Sequence, residues 1–311
     1  MKAAQISEYG HADVIEISDI AKPTLGEEQV LVEVHAASIN PFDTIVREGH
    51  VAQMVKSLPV TLGGDIAGVV SEVGSGVTNF SVGDKIYGQA NAVAGNSGAF
   101  AEFAATAANQ IGSMPTNLSF VEAGAIPLTG ESALQVITGH MKLAPGQKIL
   151  IHGGAGGIGT VAIQIAKHLG AYVATTATGD GVQYVTDLGA DEVIDYASRQ
   201  FEDVVHDYDA VFDTVGGDTY ARSFNVLKKG GIIVSMVEQE NTELAQQHEV
   251  VAVHQFTQVT TESLNELSKF IEDGIVTVHV DKTYPLEQIR QAFEDRESGT
   301  VRGKVAIEIK R

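Results

Sequence analysis

The chain of 311 residues has no cysteine, no tryptophan and only 7 prolines. The lack of cysteine excludes disulfides, a thiolate nucleophile and any zinc site that depends on cysteine ligands. No stretch reaches about 18 uncharged apolar residues, the length that a helix needs to span a membrane. The amino terminus, MKAAQISEYG, lacks the basic and then apolar pattern of a signal peptide. These absences predict a cytoplasmic protein that does not insert into a membrane.

Basic residues are also scarce, because 20 Lys and Arg stand against 40 Asp and Glu, for a net charge of −20. Nucleic acids and anionic membranes are bound by positive protein faces, so neither is an expected partner. The length suits one large or two ordinary domains. The hydrophobic content of 44% is enough for a sizeable core.

The most informative stretch is Lys148 to Gly170, KILIHGGAGGIGTVAIQIAKHLG. An apolar segment typical of a buried parallel strand leads into a glycine-rich turn, and helical periodicity follows. In such a turn the first glycine makes the tight bend, the second lets the backbone approach a pyrophosphate, and the third allows close packing of helix and strand. The helix amino terminus then offers free N–H groups to phosphate. The residues predicted to bind a dinucleotide here are Gly154, Gly156, Gly157, Ile158 and Gly159.

The two halves of the chain differ in their patterns. Residues 1–120 contain many short strand candidates between glycine turns, which predicts a barrel-like β domain, and Asn40-Pro41 indicates a turn. Ser119 is expected to cap a helix that Pro127 to Gly130 interrupts. Strands and helices then alternate, which predicts a parallel sheet with crossover helices. The predicted strands are 149–152, 172–176, 192–195, 210–214 and 232–236, and the predicted helices are 157–169, 181–188, 201–205, 218–227 and 263–273.

An ordered set of short motifs runs along nearly the whole chain. They are Asn40-Pro41-x-Asp43, Gly63-Gly64-Asp65-x-Ala67-Gly68, Val82-Gly83-Asp84, Pro127-Leu128-Thr129-Gly130, His152 to Gly159, Leu188-Gly189-Ala190-Asp191, Asp213 to Gly217, and Ser298-Gly299 through Gly303-Lys304-Val305. In this order they resemble the medium-chain dehydrogenase/reductase superfamily, and within it the zinc-independent quinone oxidoreductase, or zeta-crystallin-like, branch.

The resemblance implies an α/β protein of two domains. A GroES-like β-barrel catalytic domain would comprise residues 1–120 and 263–311, and a Rossmann domain with a doubly wound parallel sheet would comprise residues 121–262. Hydride would pass from a nicotinamide to a carbonyl compound in a cleft between the domains. A homodimer would form by pairing of strands near 232–236 and 250–256 across a two-fold axis.

The resemblance also predicts whether the chain can bind a catalytic zinc ion. Zinc-dependent relatives need a cysteine near the position of Asn40 and Gly-His-Glu near Gly63, where this chain has Gly63-Gly64-Asp65. These ligands are missing, so we expect no metal. Asn40 itself would lie beside the nicotinamide, where its amide could hold the carboxamide or polarise a substrate oxygen. The alternative is ordinary Asn-Pro turn chemistry, and capping of the next helix accounts for Asp43.

Two further residues enter through the resemblance. Thr129 would face the nicotinamide ribose or the phosphates, and Val215 would line the cofactor site. The alternative for Thr129 is a helix kink in which the hydroxyl returns to the backbone.

The end of the second nucleotide-domain strand favours NADP over NAD. NAD enzymes place an Asp or Glu about 20 residues after the glycine motif, and the corresponding residues here are Thr175 and Thr176. No Lys or Arg lies between Ala171 and Ser198, so hydroxyl groups are expected to serve instead. The predicted residues are Thr175, Thr176, Thr178 and Tyr196, with Arg199 as the nearest downstream cation.

Other candidates are expected to be structural. His152 is predicted to be a packed neutral histidine, and the alternative is a proton donor. Arg302 and Lys304 are predicted to be solvated surface charges, and the alternative is contact with the cofactor. Phe256 and Tyr87 could stack a quinone ring, although core packing is the simpler expectation.

We therefore predict an NADPH-dependent, metal-free reductase of a quinone or related carbonyl acceptor. The same motifs suit a 2-alkenal or enone double-bond reductase. A nucleotide-binding redox sensor without turnover and, with less support, a zinc alcohol dehydrogenase are the alternatives.

Overall fold

The structure is a computed structural model, and it describes residues 1–310. Its strands over this range are β1 (Lys2–Ile6), β2 (Ile15–Asp19), β3 (Gln29–Ser38), β4 (Val60–Thr61), β5 (Asp65–Val73), β6 (Lys85–Gln89), β7 (Phe103–Ala107), β8 (Ile111–Ser113), β9 (Lys148–Ile151), β10 (Tyr172–Ala177), β11 (Glu192–Asp195), β12 (Tyr208–Asp213), β13 (Leu227–Ser235), β14 (Val251–His254), β15 (Val280–Pro285) and β16 (Lys304–Glu308). Its α-helices over the same range are α1 (Pro41–Arg47), α2 (Phe120–Ala125), α3 (Pro127–Leu134), α4 (Gly157–His168), α5 (Gly181–Asp187), α6 (Gly217–Ser223), α7 (Thr242–His248), α8 (Thr261–Glu272) and α9 (Ile289–Glu297).

The chain forms two compact units. The first, called unit 1, comprises Met1–Leu128, Val259–Asp273 and the described residues from Val278 onward. The second, called unit 2, comprises Thr129–Gln258 and Gly274–Thr277. The catalytic and nucleotide-binding roles predicted for residues 1–120 with 263–311 and for residues 121–262 remain predictions at this point.

Unit 1 is built on β strands, as the many short strand signals predicted. Its larger sheet has the order β15-β16-β3-β5-β6-β8, with β7 also paired to β3, and a smaller sheet has the order β2-β1-β4. Only β15 and β16 pair in parallel in the larger sheet. An apolar core that includes Phe100, Leu62 and Phe293 holds these strands together.

Unit 2 has a parallel sheet with the order β11-β10-β9-β12-β13-β14. The chain reverses its direction of winding between β9 and β12, which is the topological switch point where ligands bind in folds of this kind. The alternation of strands and helices therefore predicted the sheet correctly. Buried residues such as Leu150, Val211 and Phe224 form its core.

Several local predictions were wrong. Asn40 and Pro41 do not make a turn that precedes the helix but begin the helix themselves: Asn40 is the N-cap of α1 and Pro41 is its first residue, where a missing N–H is harmless. Pro127 likewise begins α3, which passes into a π-helical segment, Gln135–His140. The helices α7 and α9 were not predicted, because their short polar segments show weak apolar periodicity. The Ser119 cap was correct, since its Oγ accepts the Glu122 N–H at 3.3 Å.

Among residues 1–310, no helix is both long enough and apolar enough to cross a lipid bilayer.

Candidate active site

The glycine-rich turn lies directly after β9, at the switch point of the unit 2 sheet. A Cβ on Gly159 would stand 2.3 Å from the Gly153 carbonyl oxygen, so only glycine permits this close packing of turn and helix. Gly156 is the exposed N-cap of α4, and Gly157, Ile158 and Gly159 form the first turn of that helix. The first N–H groups of a helix have no intrahelical acceptor, so this turn suits a pyrophosphate.

Two threonines at the end of β10 stabilise the glycine-rich turn and the strand before it through hydrogen bonds of their hydroxyl groups. Thr175 is 0% exposed and donates its hydroxyl hydrogen to the Ile151 carbonyl at 2.7 Å. Thr176 is 5% exposed, and its Oγ1 accepts the Gly153 N–H at 3.1 Å. Both hydroxyls are engaged within the protein, so they stabilise the shape of the turn.

The other cofactor residues predicted in the unit 2 sheet lie at the carboxyl ends of its strands, as the glycine-rich turn does. Thr178 directly follows β10, Tyr196 directly follows β11, and Val215 follows β12 by two positions. A Cβ on Gly153 would contact Val215 Cγ2 at 3.4 Å, which places this valine beside the turn. Thr129 belongs instead to α3, where it is 6% exposed.

No carboxylate ends β10 itself, although Asp195 ends the neighbouring strand β11 opposite Ala177, and Asp180 follows β10 by three positions. Tyr196 is 60% exposed. The exposed Arg199 donates from Nη2 to the Val193 carbonyl at 3.3 Å, which is a long contact and leaves other guanidinium hydrogens for a ligand. The end of β10 therefore lacks the carboxylate that would bind the ribose hydroxyls in an NAD enzyme, and Arg199 is the nearest cation along the chain.

A separate set of polar groups lies inside unit 1. Asn40, Asp65 and Lys304 are 1%, 0% and 5% exposed. They meet because Ser38, at the end of β3, pairs with both Asp65 of β5 and Ala306 of β16. The starts of β5 and β16 thus converge beside Asn40. We call Asn40, Asp65 and Lys304 the buried polar cluster.

The contacts of the buried polar cluster are short. The Lys304 Nζ donates to the Asn40 Oδ1 at 2.5 Å and to the Ile39 carbonyl at 3.1 Å. The Asn40 Nδ2 donates to the Asp65 Oδ2 at 2.8 Å. The same carboxylate oxygen lies 3.7 Å from the Lys304 Nζ, so the buried acid and the buried amine form an ion pair.

Burial governs the protonation of these groups. It raises the pKa of Asp65 and lowers the pKa of Lys304, and the attraction between the two charges opposes both changes. Burial also raises the pKa of Asp43 to about 7, although the Asn40 N–H stabilises its charged form. That N–H donates to Asp43 Oδ2 at 2.7 Å, which confirms the capping role expected for Asp43.

The prediction that Lys304 is a solvated surface charge was wrong. Arg302 fits the prediction better, since its side chain is 39% exposed and lies 3.9 Å from Asp281. Sequence reasoning also overlooked Asp65, although the Gly63-Gly64-Asp65 motif had drawn attention to it. Tyr87 is a core residue, as expected, with its hydroxyl donating to the Leu264 carbonyl at 2.6 Å. Phe256, by contrast, is 71% exposed and does not pack in the core.

The residues of the buried polar cluster do not fit zinc. A lysine ammonium has no free lone pair and repels a cation. In the part of the chain that the structure describes, no group of three or more His, Asp or Glu side chains is placed to hold a metal ion. The chain also has no cysteine to contribute a thiolate.

Two family profiles match the chain. The profile described as alcohol dehydrogenase GroES-like domain covers residues 26–116, and the profile described as zinc-binding dehydrogenase covers residues 188–307.

Similar proteins extend over nearly the whole chain. A 2-methylene-furan-3-one reductase of Solanum lycopersicum is 35% identical, with 99% of this chain and 79% of the relative covered. An NADPH-dependent alkenal/one oxidoreductase, chloroplastic, of Arabidopsis thaliana is 34% identical with the same coverage of 99% and 79%. The structure of an Escherichia coli quinone oxidoreductase complexed with NADPH has a TM-score of 0.91 and 29% identity, and covers 99% of this chain and 100% of its own.

Proposed function

Because the chain belongs to the medium-chain dehydrogenase/reductase superfamily, in the group that includes quinone oxidoreductases and alkenal/one reductases, we propose that it is an NADPH-dependent, metal-free reductase of a quinone or related carbonyl acceptor. The observation that carries the proposal is the glycine-rich turn at the switch point of a parallel sheet, beside a strand end without a carboxylate. When bound, NADPH supplies the hydride, and the protein supplies binding, orientation and electrostatics.

The proposed roles of the residues follow their chemistry. The N–H groups of Gly157, Ile158 and Gly159 hold the pyrophosphate. Thr175 and Thr176 keep the turn in shape, while Thr178 and Val215 line the nucleotide site with Thr129 at the nicotinamide side. In unit 1, the Asn40 amide offers an N–H group to the acceptor oxygen, where negative charge develops during reduction.

The preference for NADPH is assigned to Tyr196 and Arg199. The Tyr196 hydroxyl and the Arg199 guanidinium would contact the 2′-phosphate, since Arg pairs well with phosphate oxygens. We expect kcat/KM for NADPH to exceed that for NADH at least about tenfold, and Arg199→Met to reduce this ratio mainly through the KM of NADPH. Equal use of the two nucleotides by the wild type would refute this assignment.

A second candidate function is reduction of the carbon–carbon double bond of an enone or enal. The names of the tomato and Arabidopsis relatives favour it, and the glycine-rich turn serves it equally. In that reaction hydride would reach the β-carbon, and the Asn40 N–H would stabilise the developing enolate oxygen.

The test is the initial rate of NADPH oxidation with an ortho-quinone and with a medium-chain enal. Turnover with the quinone supports the proposed quinone reductase. Turnover with the enal alone supports the double-bond reductase instead. NADPH binding without turnover on either acceptor would refute both and favour a nucleotide-binding redox sensor.

A further inference from the structure

The Asn40 carboxamide is held at both ends by groups of fixed hydrogen-bond polarity. At one end the Lys304 Nζ lies 2.5 Å from the amide oxygen. At the other end the Asp65 Oδ2 lies 2.8 Å from the amide nitrogen. A lysine ammonium can only donate, and a carboxylate can only accept. The two partners therefore determine which end of the amide is the oxygen.

Rotation of this amide by half a turn would be costly. It would place the amide hydrogens against the ammonium and the amide oxygen against the carboxylate, and both contacts would be repulsive in a site that is almost fully buried. Without Lys304, the preference would rest on the Asp65 carboxylate alone. An asparagine in that state would be held in its orientation at one end only.

The two partners of the Asn40 amide, Asp65 and Lys304, are themselves fixed by other hydrogen bonds. The Asp65 Oδ1 accepts the Leu128 N–H at 3.1 Å and lies 3.4 Å from the Gln89 Nε2. The Lys304 Nζ is fixed a second time by the Ile39 carbonyl at 3.1 Å. Because each partner of Asn40 has other bonds, neither can follow the amide if it turns.

One hydrogen of the amide nitrogen is engaged by Asp65, and an amide nitrogen carries two. We propose that Lys304 is a positioning residue of the reduction site: its ammonium locks the Asn40 carboxamide so that only the second N–H is presented to the acceptor oxygen. This inference rests on the proposed function. It assigns the site to acceptors with a hydrogen-bond-accepting oxygen, as quinones and enones have.

The lock has an electronic consequence. An ammonium that donates to the amide oxygen draws electron density towards that oxygen, which makes the amide N–H a stronger donor. Lys304 thus places a fixed positive charge one side chain away from the proposed position of the acceptor oxygen. The charge acts through Asn40 and not by contact with the substrate.

The test is a double-mutant cycle on the full-length protein with NADPH and the better of the two acceptors. Lys304→Met should lower kcat/KM by about tenfold to a hundredfold. This loss is equal to or smaller than the loss that removal of a direct oxyanion donor causes. In an Asn40→Ala background the same substitution should change kcat/KM less than about threefold, because the group on which Lys304 acts has gone. Lys304→Arg, which restores a donor and a charge, should recover part of the rate.

The readouts separate positioning from structural support. The Kd of NADPH, measured by fluorescence titration, should stay within about twofold of the wild-type value in Lys304→Met. Lys310→Met is the matched control, since Lys310 pairs with Glu33 and its side chain is 48% exposed. It should leave kcat/KM unchanged. An equal loss from Lys304→Met in the wild-type and Asn40→Ala backgrounds would overturn the proposal.

A second variant keeps the test decisive if Lys304→Met does not fold. Asn40→Leu keeps nearly the shape of asparagine but offers no N–H, and Lys304 keeps its ion pair with Asp65, so this variant should fold and lose at least about tenfold in kcat/KM. Full activity of Asn40→Leu would overturn the proposal. Absence of turnover in the wild type with every acceptor would instead refute the proposed function, so the two failures are distinguishable.

Discussion

The His152 imidazole donates its Nε2 hydrogen to the Ser223 hydroxyl oxygen over 2.9 Å. The direction is fixed because Ser223 gives its own hydrogen to the Thr219 carbonyl at 2.6 Å. Burial lowers the pKa of His152 and keeps its ring neutral, so the other ring nitrogen is an acceptor, and it faces the Thr176 Oγ1 at 3.3 Å. His152 is therefore a neutral histidine in one tautomer, as the sequence predicted. It joins the glycine-rich turn, through Thr176, to helix α6.

This network makes stability depend on pH. Burial lowers the pKa of His152 to about 3, whereas an unfolded histidine has a pKa near 6.5. Between these values the unfolded chain binds the extra proton, so stability is lost as pH falls. The free energy of unfolding should decrease by about 2 kcal/mol from this residue between pH 7 and pH 5. In His152→Gln, urea denaturation at several pH values should show a pH dependence weaker by that amount.

The exposed His206 provides the control for this prediction. His206→Gln removes a histidine without touching the buried network, so its stability should change with pH as in the wild type. If His152→Gln and the wild type lose the same stability between pH 7 and pH 5, His152 is protonated in the folded protein and the assignment of the network is wrong.

A second prediction concerns the contact between Gly154 and Thr175. A Cβ on Gly154 would stand 2.0 Å from the Thr175 Oγ1, so Gly154→Ala forces the turn or the strand to move. We expect a loss of NADPH affinity of at least about tenfold by fluorescence titration, with a lower thermal midpoint. Thr175→Ala in the same chain removes the overlapping atom and should recover part of both losses. Gly139→Ala, at a glycine with no atom within 4 Å of the added methyl group, should change neither.

The strand, glycine-rich turn and helix of the candidate nucleotide site could be predicted because their signals are local. The strand, the three glycines and the helix lie within one short segment. Gly159 shows this, since its missing Cβ makes room for the Gly153 carbonyl oxygen. The inward direction of the Thr175 and Thr176 hydroxyls could not be predicted, because it depends on hydrogen bonds to the neighbouring strand β9 and to the turn.

The buried polar cluster could not be predicted because its contacts are distant in sequence. Lys304 and Asn40 are separated by 264 positions, and the lysine is buried only because β16 pairs with β3. Seen alone, Arg302 and Lys304 look like two charges before a final strand. Nothing in the segment shows that one is solvated and the other is surrounded by oxygen atoms. A buried lysine becomes plausible only when the carboxylate that pairs with it has been located.

A third prediction concerns self-association. The strand β14 pairs with β13 and lies at the end of the sheet order, and its Val251 is 54% exposed. An apolar residue on an edge strand favours pairing with a second copy. We therefore expect a homodimer at micromolar concentration in light scattering, and a shift of Val251→Lys towards the monomer, since a charge on an edge strand opposes pairing. A wild-type monomer at that concentration would contradict the prediction.

A fourth prediction concerns Phe256, which is 71% exposed although the side chains of the residues on either side are hydrogen-bonded. Gln255 donates from Nε2 to the Gln135 Oε1 at 2.8 Å. The Thr257 hydroxyl lies 2.7 Å from the hydroxyl of Ser132. The backbone is thus fixed to the helical segment that contains Ser132 and Gln135, while the aromatic ring points to solvent. A rigidly held, exposed ring suits stacking with a planar acceptor.

We expect Phe256→Ala to raise the KM of an aromatic ortho-quinone about three- to tenfold, the effect of one lost aromatic contact. A non-aromatic enal should be affected less, and the Kd of NADPH should not change. Phe256→Tyr retains the ring and should retain the wild-type KM, while Met54→Ala, at another exposed apolar residue, is the control. Equal changes for quinone and enal would argue against stacking. A change of mass in light scattering would show that Phe256 belongs to a contact between subunits, because Phe256 lies two positions after the edge strand β14.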